Sequence, residues 1–328
     1  IGFHLVSFER AMESVDFNVI FLLVGMMISV SILAQTGFFE WAAISVAKHA
    51  NGEPIRILVF LLILTSVFSA FLDNVTTIIL IVPMTILIAQ ILEISPIPFV
   101  LLEAITSNIG GTATLIGDPP NIIIGSQAGL TFNQFLINLT PVITLVFLAF
   151  IASVWLALHK RMNVSENIRN RVIQATPKDA IVDRSNLIKS LVILGLIILG
   201  FLLHSVIELE PGIIAFGGSM IMMLVCKSKT EHMLAKVEWG VIFFFIGLFI
   251  MISALEANGV IEFLAKGILG VSSNNVFLLC LVVLWGSAVI SSVLDNIPFT
   301  ITMIPLLKLC FPTIAGSLGI TDPALIQS

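Results

Sequence analysis

The sequence predicts an all-α polytopic membrane protein built from inverted structural repeats, with re-entrant hairpins and interrupted helices, and three observations carry that prediction. Of 328 residues 58% are hydrophobic and only 11% charged, less than half the roughly 25% charge of a soluble domain. Apolar runs long enough to cross a bilayer recur along the chain. Finally, residue i resembles residue i+222 without a gap: Val15-Asp16-Phe17 falls on Val237-Glu238-Trp239, Gly25 on Gly247, Gly37 on Gly259, Glu40 on Glu262, Asp73-Asn74 on Asp295-Asn296 and Pro83 on Pro305. Chance likeness among apolar helices explains shared Leu and Ile, but not Asp-Asn and Pro matched at one offset.

Taken in order, residues 1–15 alternate charge and hydrophobe as a surface helix would. Plain spans are expected at 17–36, 141–158, 187–206, 212–226 and 240–255. Residues 55–91 and 276–309 each read as two apolar arms around a polar tip, Asp73-Asn74 in one and Asp295-Asn296 in the other. Each pair forms two full spans or one re-entrant hairpin. Residues 98–125 make one interrupted crossing, and 130–138 an amphipathic connector. The chain divides into a first repeat at 1–158, a polar linker at 159–186, two scaffold spans at 187–236 and a second repeat at 237–328.

The crossings between the two copies are odd in number whichever way the hairpins are drawn, so the second copy enters from the opposite face and the repeat is inverted. Charge placement tests this independently, because Lys and Arg collect on the cytoplasmic side. Of 15 basic residues only Arg10, Lys266 and Lys308 fall on the other side. The first hairpin is then expected to open from the cytoplasm and the second from outside. Loop 159–186 is expected to be cytoplasmic, in a protein of the plasma (inner) membrane. Ser107 plus 222 is position 329, one past the last residue. A second polar, Gly-rich break is therefore expected to follow Ser328 in the natural protein.

The stretch 107–121, SNIGGTATLIGDPPN, lies between strongly apolar runs and cannot be one continuous helix. Gly110, Gly111 and Gly117 weaken helix, Pro119 and Pro120 remove two backbone donors, and Ser107, Asn108, Thr112 and Thr114 offer oxygen ligands. In lipid such backbone survives only where protein or a water-filled cavity satisfies it. Asp118 before the two prolines and Asn121 after them present carbonyls that no helix uses. Cation or oxyanion coordination suits that arrangement. A phosphate loop does not, because the Lys-Ser/Thr ending is absent.

Asp73 and Asp295 lie within apolar runs, where a carboxylate costs about 2.5 kcal/mol or more at the membrane centre and marks a functional candidate. Each is followed by Asn; Thr76 and Thr77 come next in the first tip, Pro298 and Phe299 in the second. The alternative is that both aspartates are N-caps of the return arms, and the two roles are compatible. Glu103 stands one helical turn before Ser107 on the same face, either as a proton carrier for the site or as a structural carboxylate. Asp16 and Glu238 precede their spans and read as anchors at helix N-termini, and His204 as an interfacial residue. Cys226, Cys280 and Cys310 lack metal-ligand or redox spacing and read as small buried hydrophobes. Neither a metal site nor a cofactor is expected.

These residues resemble the ion transporter superfamily, most closely its branch of arsenite-efflux permeases, melanocyte P-protein-like transporters and sodium/proton antiporters. The GGTATLIGDPPN run is specific to that branch but not to one substrate. The resemblance implies a scaffold of long helices and a transport unit in which two re-entrant hairpins and two interrupted helices meet near the midplane. It places Asp73, Asn74 and Thr77 at the first tip, Asp295 and Asn296 at the second, and Asn108, Gly110, Gly111, Thr112, Asp118 and Asn121 at the first break. Together with Ser107 these are the candidate ion-binding residues. Members of the superfamily are often dimers, so a second copy joins the small ion substrate and the lipid bilayer as an expected partner; nucleic acid does not.

The function expected is secondary active transport of small inorganic ions by alternating access, coupled to H+ or Na+, of the arsenite/antimonite efflux type or as a sodium/proton antiporter. No Cys stands near the proposed site, so thiolate ligation of arsenic is not supported. Rivals from other classes are a passive ion channel and an intramembrane aspartyl protease. The duplicated polar break argues against the protease, which needs only a carboxylate dyad.

Overall fold

The computed structural model describes residues 6–160, 162, 164–174, 176–272, 276–293 and 295–317. Among them every regular element is a helix: α1 (Phe8–Glu13), α2 (Phe17–Ala34), α3 (Phe38–His49), α4 (Pro54–Ser69), α5 (Asn74–Ile91), α6 (Ile97–Gly111), α7 (Pro119–Ala128), α8 (Phe132–Leu158), α9 (Glu166–Ile173), a 3-10 turn (Pro177–Ala180), α10 (Arg184–Ile207), α11 (Pro211–Cys226), α12 (Thr230–Leu234), α13 (Trp239–Ala257), α14 (Val260–Ser272), α15 (Val276–Ser291) and α16 (Asn296–Ser317). Five of these, α2, α5, α8, α10 and α13, are long and apolar enough to cross a membrane.

The offset of 222 reappears in the helix bounds. Phe17, Phe38, Pro54 and Asn74 open α2, α3, α4 and α5, and the residues 222 further on, Trp239, Val260, Val276 and Asn296, open α13, α14, α15 and α16. The turn before the second helix of each set is made alike, by Gly37 at φ 80° and Gly259 at φ 73°, a left-handed conformation that glycine adopts without a Cβ penalty. α3 and α14 are elements that the hydropathy pattern alone does not single out, because each carries charge among its apolar residues.

Local chemistry sets the ends. Proline opens α4, α7 and α11 at Pro54, Pro119 and Pro211, where its missing N–H would have had no partner in any case. The Pro119-Pro120 pair therefore starts a helix rather than forming the break. α6 runs on through Ser107 to Gly111, and the irregular segment is 112–118. The expected connector at 130–138 and span at 141–158 are one helix of 27 residues, α8, with Pro141 inside it. Its start is a capping box, in which the Thr131 hydroxyl accepts from the Gln134 N–H and the Gln134 side chain accepts from the Thr131 N–H. That reciprocal cap begins the helix ahead of the apolar run, so hydropathy alone places the start too late.

Contacts divide the chain into two compact units. The larger, residues 21–125 and 130–238, is built around α4, α5 and α6. Its core is a cluster of Ile57, Leu58, Leu61 and Leu62 from α4 with Ala47 of α3 and Phe99 of α6, all at most 1% exposed. The smaller unit contains α1, residues 126–129 and α13 to α16, and packs Ile261, Ala265, Leu279, Leu306 and Cys310 together. Asp16 acts there as the anchor expected: its Oδ1 accepts from the N–H groups of Asn18 and Val19 at 3.1 and 3.3 Å, and its Oδ2 accepts from Ser126. Cys226 and Cys310 are buried, but Cys280 is exposed on α15, a correction to its reading as a buried hydrophobe. Its neighbours on α15, Leu278, Leu284 and Trp285, are exposed too, so the apolar pattern of this helix does not mark a buried face.

At Gly110, α6 lies directly against the backbone of α4. A Cβ at this position would lie 2.6 Å from the Ser66 Cα, so a methyl group forces the helices apart. Gly110→Ala is expected to lower the thermal stability of the purified protein by about 1–3 kcal/mol. Gly217→Ala, where a Cβ meets nothing within 4 Å, is expected to leave it unchanged or slightly raised.

Candidate ion-binding site

The hairpin of α4 and α5 turns at residues 70–73. Asp73 is the N-cap of α5, extended at φ −64° and ψ 153°, and its Oδ1 accepts the Thr76 N–H at 2.9 Å. The carboxylate thus satisfies an orphan donor and stands at the positive end of the helix dipole. It is half-buried, and the Thr76 bond uses one of its two oxygens. Asn74 follows, and its Nδ2 donates to the Asn108 Oδ1 at 3.0 Å. That bond joins the first tip to the helix break, two places the sequence marks separately.

The break is sewn to the tip at several further points. The Ser69 hydroxyl donates to the Ser107 carbonyl at 2.6 Å, the Thr114 hydroxyl donates to the Ala70 carbonyl, and the Gly110 backbone lies against that of Ser66. Across the break, the Asn121 Nδ2 donates to the carbonyls of Gly111 at 3.1 Å and Thr114 at 2.9 Å. These are carbonyls that no helix uses, so Asn121 closes the break upon itself. Gly111 and Gly117 approach each other too closely for side chains, with a Cβ at Gly111 only 2.8 Å from the Gly117 oxygen. The Thr112 hydroxyl donates to the Asn108 carbonyl and the Asn108 Nδ2 to the Ala104 carbonyl, both at 2.8 Å. The Asp118 carbonyl accepts from the N–H groups of Asn121 and Ile122 and so opens α7.

The candidates therefore differ in placement. Asp73, Asn74, Ser107, Asn108, Gly110, Gly111, Thr112, Asp118 and Asn121 come together in one knot. Gly110, Gly111 and Asn121 shape it, while Asp73, Asn74 and Asn108 stand half-buried or exposed at its surface. Thr77 lies one turn inside α5, fully buried, and its hydroxyl has no hydrogen-bond partner. Glu103 is fully buried on α6, where its Oε1 accepts the Thr85 hydroxyl at 2.6 Å and its Oε2 has no partner. In the smaller unit, Asp295 repeats the cap of Asp73, its Oδ1 accepting the Ile297 N–H at 3.0 Å, and Asp295 and Asn296 are both exposed.

Ser66, Ser69, Thr85 and Thr140 are parts of this region that the motif did not point to. Thr140 of α8 donates to the Ala113 carbonyl at 2.8 Å and holds the break from its other side. Ser66, Ser69 and Ala70, small residues ending an otherwise bulky arm, were the readable signal. Beside the first turn of α5 opens a cavity of about 340 Å³ lined by Ser31, Gln35, Thr76, Lys236 and Glu238 among apolar side chains. Burial, and after it the charge of Asp73, push the Glu238 carboxyl above its ordinary range. His204 does not reach this region; its Nε2 accepts the Phe132 N–H at 3.1 Å and ties α10 to the start of α8.

Asn caps a helix as well as Asp does but carries no charge. Asp73→Ala is therefore expected to cost about 1 kcal/mol of stability, and Asp73→Asn much less. Comparing their melting curves separates the structural share of this carboxylate from whatever its charge does.

Comparison with known proteins places the whole arrangement. The family model described as citrate transporter matches residues 1–325. An uncharacterized transporter of Mycobacterium tuberculosis is 41% identical over 309 residues, covering 94% of this chain and 72% of that protein. A 46 kDa membrane protein of Mycobacterium leprae is 41% identical over 294 residues, covering 90% and 68%. The P protein of Homo sapiens is 30% identical over 378 positions, covering 92% of this chain and 45% of its own length. With a family match over nearly its full length and apolar helices able to span a bilayer, the chain is an integral membrane transporter and belongs to the citrate transporter family of the ion transporter superfamily.

Proposed function

We propose that the protein is a secondary active transporter of small ions, working by alternating access and coupled to H+ or Na+. The observation that carries this reading is the knot between hairpin tip and helix break, where the Asn74–Asn108 bond at 3.0 Å and the capped Asp73 bring polar groups together at helix ends. Helix N-termini favour anions, and unwound carbonyls and carboxylates favour cations. Neither Lys nor Arg occurs in 66–77 or 107–121, so an anion would be held by backbone N–H and amide groups, and a coupling cation by Asp73 and its neighbours. Asp295 and Asn296 play the corresponding part in the second hairpin. The two hairpins are re-entrant, the repeats inverted, the protein resident in the plasma membrane and its working form a homodimer.

Within this class the substrate is a small oxyanion, with arsenite or antimonite efflux as the inorganic form; sodium/proton antiport is the form without an anion. The family description supports a second form, in which the cargo is a carboxylate such as citrate. The absence of Cys at the knot favours oxygen-based over thiolate recognition in either case.

The test uses the full-length protein in proteoliposomes, with arsenite, citrate and 22Na+ as probes and an imposed H+ or Na+ gradient. Saturable, gradient-driven movement of at least one probe is expected, falling at least tenfold in Asp73→Asn while the fold is kept. Current that follows the ion gradient without saturation would instead make the protein a channel, and peptide cleavage surviving in transport-dead variants would make it a protease.

A further inference from the structure

Two hydrogen bonds set the register of α5 on α6. Asn74 bonds Asn108 at 3.0 Å at one end, and Thr85 bonds Glu103 at 2.6 Å eleven residues further along α5 and five residues back along α6. The two helices are therefore antiparallel, and Thr77 and Thr106 fall between the ties. Both are fully buried, and neither hydroxyl has a hydrogen-bond partner. On the third helix of the bundle, Thr65 is also fully buried with an unpartnered hydroxyl. It adjoins Ser66, whose backbone abuts Gly110, one turn beyond Thr106. Glu103 Oε2 completes a set of four buried oxygens in one three-helix seam, none with a partner.

Buried oxygens of this kind are nearly always satisfied in native proteins, and a cluster of them needs a reason. A structural ion pair does not supply it. Of the helices packed on α6, α4 carries only Arg56, exposed and paired with Glu53 at 2.7 Å, and α5 and α8 carry no charged side chain. Asp73 caps α5 at the tip, Glu93 lies beyond its other end in an exposed pair with Arg171 at 2.9 Å, and His159 follows α8 at the surface. Glu103 is thus a fully buried acid with no counter-cation on the helices packed around it, one oxygen bonded to the Thr85 hydroxyl and the other unpartnered.

The geometry points to a proton-binding site at Glu103, in a seam whose other unpartnered oxygens are the hydroxyls of Thr65, Thr77 and Thr106; it rests on the transporter reading and makes H+ the coupling ion. A proton on Oε2 neutralises a carboxylate that has no counter-cation, and so removes the cost of an uncompensated buried charge. On release, the Glu103 O–H bond breaks as alternating access opens the seam to water, the proton leaves to that water as hydronium, and a carboxylate is left at Glu103 until a proton from the opposite side re-forms the bond. The tip at Asp73, Asn74 and Asn108 remains the ion site, so cargo and proton occupy separate places in one seam.

The experiment measures, in proteoliposomes of the full-length protein, arsenite or citrate counterflow and cargo-driven H+ flux reported by an enclosed pH dye. Wild type is expected to show both, with cargo transport that varies with pH. Glu103→Gln is expected to lose H+ flux at least tenfold and to flatten the pH profile. Glu103→Asp is expected to recover pH dependence, and Thr85→Val, which removes the hydroxyl bonded to the carboxyl, to shift the pH profile without flattening it. Melting curves identify a variant that has failed to fold; where Glu103→Gln is one, Thr85→Val carries the test, and an unshifted profile in it overturns the proton site. Counterflow in wild type without H+ flux, or Glu103→Gln with unchanged H+ flux and pH profile, overturns the proton site while leaving the transporter reading intact. Absence of counterflow of both probes and of any 22Na+ movement in wild type overturns the transporter reading itself.

Discussion

The larger unit depends on one constraint: the end of α4 and the end of α6 must touch backbone to backbone. Gly110 permits the contact with Ser66, and the Ser69 hydroxyl caps the Ser107 carbonyl at 2.6 Å. Everything polar in the region follows from that approach. Once α6 is drawn against the hairpin, its chain must leave through 112–118, and the carbonyls freed there are taken up by Asn121, while Thr114 and Thr140 fasten the segment on its two sides. In a low-dielectric interior an unmet backbone group costs several kcal/mol. A broken helix inside a membrane protein is thus stable only because its neighbours are specified to receive it.

The same region explains why a carboxylate can sit at the tip. Asp73 is held by the Thr76 N–H at the start of α5, so the helix itself offsets part of the cost of an ion in an apolar run. Capping uses one carboxylate oxygen, and the ion binding proposed for Asp73 would use the other, so the two roles are compatible in one geometry. Asp295 repeats the arrangement at the head of α16, in keeping with helix bounds that recur at a constant offset.

Much of this was legible in sequence, and the parts that were not have physical reasons. Apolar runs gave the spans, because burial in lipid demands them. The Asp-Asn tips and the Gly/Pro break stood out because polarity inside such runs is costly. The start of α8 at Phe132 was misplaced, since its capping box begins a helix before hydropathy rises. The two prolines marked the break but open α7, because a helix start and a helix stop both tolerate proline. The Asn74–Asn108 bond and the Thr85–Glu103 bond were beyond reach, for pairing across helices depends on register, which no local pattern encodes. The family match and the fold point the same way, to an integral membrane transporter.

The central claim is that hairpin tip and helix break form one fixed knot. It is tested most directly by cross-linking Asn74→Cys/Asn108→Cys with a short bifunctional thiol reagent, in a protein whose Cys226, Cys280 and Cys310 have been replaced by Ser. Side-chain amides that meet at 3.0 Å put two thiols at these positions within the span of such a reagent. Rapid, near-complete cross-linking of the folded protein in membranes is the result the account predicts. Absence of the cross-link under conditions that join other engineered pairs would show that the tip and the break are not held together, and would contradict it.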